Sequence, residues 1–467
     1  MSAADFLAAS LERELNKKDN EYNEALFKLS GRPPFLTALP LALQHVVAMI
    51  VGCITPALIL ANTANLSVPD QVILVQGALF IAAISTMIQL VHFGGIVGSG
   101  LPVIMGVSFA YLPSMVAIVY GYDIATIFGA QVVGGGIAFV FGFFVRKIRF
   151  LFPPLITGTV VFTIGLSLYP TAIHYMAGGQ NTPDYGSWQN WLVAIFTLLV
   201  VTILNHFSKG IWKLASILIG MAVGYVFSSF FGMISFGRVA EAGYFSLPQP
   251  LYFGINFELS AVIALGLLFG ISAIQAIGDF SATTIGGLER EPTDRELRGG
   301  IATYGITNIF GAFFGGLPTA TYSQNVGIIA TTKVVSRFVI GIAATILLIA
   351  GIVPKFSAIL TTIPSAVLGG ATISVFASIA MTGMKLVTSA PMSYRNTSIV
   401  GLAAALGVGI ASASESLSAF PGWVTIIFGK SPVVLATLLA ILLNLILPKD
   451  PDPVAAVGRD VLSDETD

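Results

Sequence analysis

Residues 315–332 read GGLPTATYSQNVGIIATT, an apolar tract interrupted by Gly315, Gly316 and Pro318 that carries two adjacent amides, Gln324 and Asn325. In hydrocarbon every backbone N–H and C=O needs a partner. Non-helical backbone therefore survives at membrane depth only where protein buries it or where it lines a cavity. A buried amide without a hydrogen-bond partner costs about 1–3 kcal/mol. Either the protein satisfies this amide pair, or a solute does.

The whole chain suits that setting. Its 467 residues are 55% hydrophobic and 10% charged, with a mean hydropathy of +0.88, whereas soluble domains carry about 25% charged residues. We read it as a polytopic membrane protein forming one membrane domain. The net charge of -1 gives no electrostatic footprint for nucleic acid, and the single Cys53 excludes both a disulfide framework and a thiolate metal cluster. The polar stretch MSAADFLAASLERELNKKDNEYNEALFKL lacks a signal-peptide pattern and is expected to be a retained cytoplasmic segment.

Apolar segments of spanning length fall near 39–61, 70–92, 124–145, 153–174, 188–207, 210–232, 258–284, 296–316, 334–352, 354–382, 393–414 and 431–447. Two interrupted stretches, near 98–119 (GSGLPVIMGVSFAYLP and beyond) and 317–332, bring the count to fourteen. With both termini cytoplasmic, nineteen of the 22 Lys and Arg residues fall in inner loops, Arg238, Lys355 and Lys430 being the exceptions. Dropping either interrupted stretch would move several basic clusters to the wrong side. The expectation is an all-α, multi-pass protein of the cytoplasmic membrane with fourteen spans, spans 3 and 10 being short and broken. The halves also echo: LPVIMGVSFA (101–110) precedes FPPLITGTVVFTIGLSL (152–168), and LPTATYSQNV (317–326) precedes TIPSAVLGGATISVFAS (362–378). Seven spans per half make this a 7+7 inverted repeat.

Breaks at matching places in two halves point to a transporter's central site. Half-helices starting there aim free N–H groups and a positive dipole end into the cavity, near Ser108, Phe109 and Ala110 and near Gln324 and Asn325. One acid lies deep in a span, Asp279, with Gln275 one turn earlier on the same helix face. His45, beside Gln44, is the histidine well inside a span; it suits a proton carrier or a core histidine bonded to a carbonyl. Gln324 and Asn325 fit a ligand or the broken backbone itself. Tyr322, Phe109 and Tyr304 read as packing residues, the first two gaining interest from their place at the breaks; Thr331 and Thr332 are expected to bond back to helix carbonyls. No phosphate loop, HExxH or metal-ligand spacing occurs, so neither an enzyme, a cofactor nor a bound metal is expected. Half-helix dipoles also suit anions, and an anion carrier on the same architecture stays open on physics alone.

These residues resemble the nucleobase-ascorbate transporters, the second type of nucleobase:cation symporter. Gln324, Asn325, Val326, Gly327, the four residues to Thr331, then Thr332 and Lys333 match the hallmark. Gln44–His45, Ser108–Ala110, PPLITGTVVFTIGLSL and Gly278–Asp279 match further motifs in order, over roughly 30–450. The resemblance implies a core domain (spans 1–4 and 8–11, residues 39–145 and 258–352) moving like an elevator against a gate domain (spans 5–7 and 12–14, residues 146–257 and 353–447). Segments 1–38 and 448–467 would be cytoplasmic.

It further implies a homodimer carrying a nucleobase with protons. The base would meet Gln275, Asp279, Gln324, the backbone around Phe109 and Ala110, and Tyr322; Asp279, with His45, would couple the proton; Asn325, Gly327 and Ser108 would shape the break. Gln rather than Glu at 324 resembles xanthine and uric acid carriers more than uracil carriers, and a primary amide can both donate to and accept from a base edge. That implies a purine, xanthine ahead of uric acid, with a uracil or pyrimidine permease as the alternative. The chain departs from the pattern at Gln275, where most relatives have Glu. Because Gln cannot titrate, the departure leaves a role for Asp279 as proton carrier, an altered substrate or coupling ion, or impaired coupling.

Overall fold

The computed structural model describes residues 24–148, 153–180, 182–234, 239–240, 242–421, 424–429 and 431–448. Most of the expected N-terminal segment (1–23) and tail (449–467) lies outside them. Helices stand at each expected place: α1 Phe35–Thr63, α2 Val68–Gln89, α3 Leu112–Gly121, α4 Ile124–Ile148, α5 Pro154–Met176, α6 Trp188–Phe207 and α7 Ser216–Ser229. The second half holds α8 Leu259–Leu288, α9 Asp294–Phe313, α10 Ser323–Thr332, α11 Arg337–Ile352, α12 Ser365–Val387, α13 Tyr394–Ser412 and α14 Pro432–Ile446. Among the described residues seven are long and apolar enough to cross a bilayer alone (α1, α2, α4, α5, α6, α8 and α12), and the count is eight if α11 and the short helix Pro354–Thr361, bent by 78°, make one span.

Two expectations are corrected here. The stretch 354–382 is not one helix: Pro354 starts a short helix that ends at Thr361, and Pro364 precedes α12. Proline's fixed φ and missing N–H favour the first turn and stop a helix running through. Nor is the chain purely helical. The interrupted stretches form two three-residue strands, β1 Met105–Val107 and β2 Thr319–Thr321, paired antiparallel with Met105 opposite Thr321 and Val107 opposite Thr319.

Sequence chemistry sets the element ends. Ser67, Ser187 and Ser393 cap the backbone N–H three residues on, and Thr293 with Glu296 forms a full capping box at the start of α9. Arg290 grips the same Glu296 carboxylate at 2.6 and 2.9 Å, fixing the loop between α8 and α9. Gly315, at φ +68°, turns the chain from α9 towards β2, a conformation that side chains with a Cβ resist.

By contact density the chain divides into two compact units, 1–149 with 168–377 and 150–167 with 378–467. The first holds both strands and α8. Its α4 packs closely on α9, a Cβ at Gly135 meeting the Gly305 carbonyl at 2.8 Å, as small-residue membrane seams do. In the second, Leu155, Ile156, Val387, Ile399, Ala403 and Ala440 form an apolar core. Arg395 there donates to the Asn444 carbonyl at 2.7 Å near the end of α14.

In β1, a Cβ at Gly106 would collide with Cys53 Sγ and lie 2.7 Å from the Tyr322 ring. Gly106→Val should therefore lower thermal stability by about 1–3 kcal/mol or abolish folding. Size-exclusion profile and Tm of the purified variant test this; a wild-type Tm would contradict the packing at the strands.

Candidate functional site

Each strand leads directly into a half-helix. After β1, Ser108 accepts the Ala110 N–H at 3.2 Å and residues Phe109–Tyr111 make a 3-10 turn into α3. After β2, Tyr322 starts α10 but supplies no side-chain cap; its carbonyl accepts the Asn325 and Val326 N–H groups, and those of Ser323 and Gln324 receive no capping side chain. Two further backbone bonds extend the ladder, Tyr322 N–H to Ile104 O at 3.0 Å and Ser108 N–H to Pro318 O at 3.1 Å. The backbone that cannot be helical is thus satisfied by the other break.

Buried amides and hydroxyls hold the ladder from outside. Asn308 Oδ1 accepts the Thr319 N–H at 2.8 Å, and its Nδ2 donates to the carbonyls of Tyr304 and Thr319. Gln131 donates to Asn308 O and Gly316 O at 3.0 and 2.9 Å. Thr86 Oγ1 accepts the Met105 N–H at 3.0 Å, and Gln89 accepts the Ser99 N–H at 3.1 Å while donating to Gly300 O at 2.9 Å. None of these four was singled out from sequence. Polar residues within spans were the available signal, though many such residues merely bond within their own helix.

Helix α8 touches both breaks. Phe269 lies against Tyr111, ring centroids 4.9 Å apart, and the hydroxyl of Tyr111 pairs with that of Tyr304. Tyr304 is fully buried, a packing residue as expected. Ten residues after Phe269 on α8, Asp279 is 7% exposed and its carboxylate accepts from the hydroxyls of Thr321 and Ser323, the latter at 2.8 Å. Thr321 and Ser323 were missed, although their spacing of two projects both from one face of an extended segment. Gln275 lies between these contacts, one turn before Asp279.

The amide pair separates. Asn325 is buried, its Nδ2 donating to His45 O at 3.0 Å and to His45 Nδ1 at 3.1 Å. Because that carbonyl can only accept, the Asn325 amide orientation follows, and the His45 ring proton sits on Nε2. Asn325 Oδ1 stays buried with no partner. Tyr322 is 7% exposed and its hydroxyl donates to Val107 O at 2.6 Å. Gln324 is exposed and Gln275 half-buried, and neither side-chain amide bonds to the described residues.

Phe109 is buried edge-on against Phe376 at 5.2 Å; Ala110 and Ser108 are half-buried and Gly327 is exposed. Thr331 and Thr332 bond back to Gly327 O and Ile328 O at 2.8 Å, as expected. Lys333, which ends the hallmark, caps α10 at φ +60° and donates to Gly286 O at 2.6 Å, joining the ends of α10 and α8. Chemically the arrangement offers two unpaired amides able to donate and accept, beside one recessed acid clasped by hydroxyls.

Thr321→Val should cost about 1–3 kcal/mol, because the Asp279 carboxylate loses a buried hydrogen bond, and Ser323→Ala, whose bond is only half-buried, about 0.5–1.5 kcal/mol. Thermal unfolding tests this, with Asp279→Asn as background. Additive losses in the double variants would show that the hydroxyls do not act through Asp279.

The Permease family, Xan_ur_permease, matches residues 36–416. The uric acid permease PucJ of Bacillus subtilis is 35% identical over 413 residues, covering 87% of this chain and 91% of its own. The xanthine permease XanQ of Escherichia coli K12 is 32% identical over 443 residues, covering 91% and 94%. Among solved structures, the transmembrane domain of a cyanobacterial bicarbonate transporter, BicA, matches with TM-score 0.57 at 16% identity, covering 89% of this chain and 100% of that one. The fold is therefore shared with an anion carrier. The chain, with its several apolar spans and full-length sequence relatives, belongs to the Permease family of integral membrane transporters, proteins that move solutes rather than transform them.

Proposed function

We propose that this protein takes up a purine nucleobase, xanthine or uric acid, by proton symport. The observation that carries the reading is the pair of unpaired amides, Gln275 and Gln324, at a break where Asp279, Thr321, Ser323 and Tyr322 are already bonded within the protein. A Gln amide presents one donor and one acceptor side by side, which complements the adjacent C=O and N–H of a purinedione edge. The similarity to uric acid and xanthine permeases supports the same solute class. A fold shared with a bicarbonate transporter does not choose the solute, so the side chains must.

In this reading Gln275 and Gln324 grip two edges of the base. The uncapped N–H groups of α10 face its carbonyls, and Phe109, Ala110 and Tyr322 form walls. Asn325, Gly327 and Ser108 shape the break. Asp279 takes the coupling proton, since Gln275 cannot; protonation would turn one accepted hydroxyl bond into a donated one and loosen the clasp on β2 and α10. His45, tied to Asn325, is the second candidate for the proton. A cavity of about 580 Å³, lined by Asn62, Gln71, Tyr120 and His174 among others, lies at the far end of α3 and is the approach from that side.

The fourteen-span 7+7 repeat, the division into a core (39–145, 258–352) and a gate (146–257, 353–447), the elevator motion, the homodimer and a cytoplasmic membrane location with both termini inside belong to the same proposal. The paired breaks support the repeat and the distribution of basic residues supports the span count and the orientation, while the domain division, the elevator motion and the homodimer rest on the family resemblance.

Uptake of labelled xanthine into proteoliposomes tests the function. Accumulation should require an inward proton gradient, and unlabelled uric acid should compete better than uracil, sulfate or dicarboxylates. Equal accumulation without the gradient refutes proton coupling, and stronger competition by uracil refutes the purine. Asp279→Asn should abolish accumulation while counterflow exchange persists; unchanged accumulation removes Asp279 from coupling. Gln275→Glu should shift the pH dependence of uptake, and an unaltered profile would separate residue 275 from the coupling site.

A further inference from the structure

We infer that a groove formed by residues 29–32, the end of α2 and the first half of α11 binds the headgroup of an anionic phospholipid. The groove encloses about 750 Å³. Arg32 and Arg337 line it, and among the described residues no Asp or Glu does. Among the described residues neither arginine pairs with a carboxylate. Arg337 is held in place by neutral acceptors, Nε to Leu29 O at 3.0 Å and Nη1 to Leu90 O at 3.3 Å, so its charge is positioned but not neutralised. Arg32 is exposed beside it. A guanidinium fork matches phosphate geometry, and two of them in one groove without a counter-charge select an anion.

The remaining lining selects a lipid over a free anion. Met87, Val91, Phe338 and Ile342 supply an apolar wall that reaches along α11 to Thr345, about 12 Å from Arg337 at helical rise. An inorganic anion gains nothing from such a wall, whereas the glycerol and upper acyl carbons of a phospholipid do. Phe35 and Leu36, beyond the two prolines that follow Arg32, are 56% and 82% exposed, the apolar-beside-basic pattern of a membrane interface. The distribution of Lys and Arg assigns this end of the molecule to the cytoplasmic leaflet, where anionic lipids create a negative surface potential. The inference rests on that topology and not on the identity of the solute.

Occupancy would reach the transport machinery through backbone. Val335 N–H donates to Leu26 O at 3.0 Å, Arg337 N–H to Leu29 O at 3.2 Å and Ser336 Oγ to Gly31 O at 2.8 Å. Residues 26–31 therefore strap the link that leaves α10, and a headgroup bridging Arg32 and Arg337 would tighten the strap.

The test titrates the purified full chain in neutral detergent with phosphatidylglycerol, phosphatidylcholine or inorganic phosphate while following Tm. Phosphatidylglycerol should raise Tm and the other two should not. Arg32→Gln should weaken the half-saturating phosphatidylglycerol concentration about fivefold, the effect of one surface arginine. Gly341→Leu should weaken it at least as much by filling the groove; a Cβ there meets only Leu90 Cδ1 at 3.8 Å, so the change introduces no clash at that carbon. Arg337, which braces the fold, is left intact. An equal rise with phosphatidylcholine, or wild-type titrations in both variants, overturns the proposal. An equal rise with inorganic phosphate overturns it in favour of a simple anion site. Because the readout is Tm, failure of xanthine uptake with an intact lipid response would count against the transport reading alone.

Discussion

Two interrupted helices meet inside a membrane protein, and the structure depends on how their backbones are satisfied. Each unpaired N–H or C=O at that depth costs several kcal/mol. The solution is mutual: Met105–Val107 and Thr319–Thr321 pair antiparallel, and the bonds from Tyr322 and Ser108 extend the pairing beyond both strands. Neither break could persist without the other. Asn308, Gln131, Thr86 and Gln89 then take up groups that the short ladder leaves over, which explains why such costly side chains lie deep in α2, α4 and α9.

Once the ladder exists, the polar residues around it fall into two groups. Asp279, Thr321, Ser323, Tyr322, Asn325 and His45 bind one another or the backbone and hold α1, α8 and α10 in register. Gln275 and Gln324 do not. That asymmetry separates a bracing network from two amides whose hydrogen-bonding capacity the described residues leave unused, and a polar group already satisfied by protein has little to offer a solute. Asp279 belongs to the first group. It is an ionisable group built into the joint between α8 and β2, so a change in its charge alters the joint that positions Gln324.

The same economy extends to the end of α10. Lys333 closes α10 and reaches Gly286 on α8, and the next residues are strapped by the segment around Leu26–Gly31. The half-helix that carries Gln324 is therefore fastened at its start by a carboxylate clasp and at its finish by a lysine and a backbone strap. Its position is set by α8 and by the N-terminal segment together.

Spanning length, charge avoidance and Pro-Gly breaks are local properties of the chain, so the membrane class, the two interruptions and the places of the helices, apart from 354–382, are legible in the sequence. The hallmark around Gln324 carried the family. Local pattern could not reveal that the interruptions pair as strands, since the partners of Met105–Val107 lie more than two hundred residues away. It also could not separate Gln324 from Asn325. The two are neighbours in composition and chemistry, and only the position of His45 on α1 decides that Asn325 is bonded within the protein. Thr321 and Ser323 were equally unremarkable until α8 brought Asp279 against them. Which amides and hydroxyls are bonded and which stay free is a question of long-range partners, and tertiary structure alone supplies those.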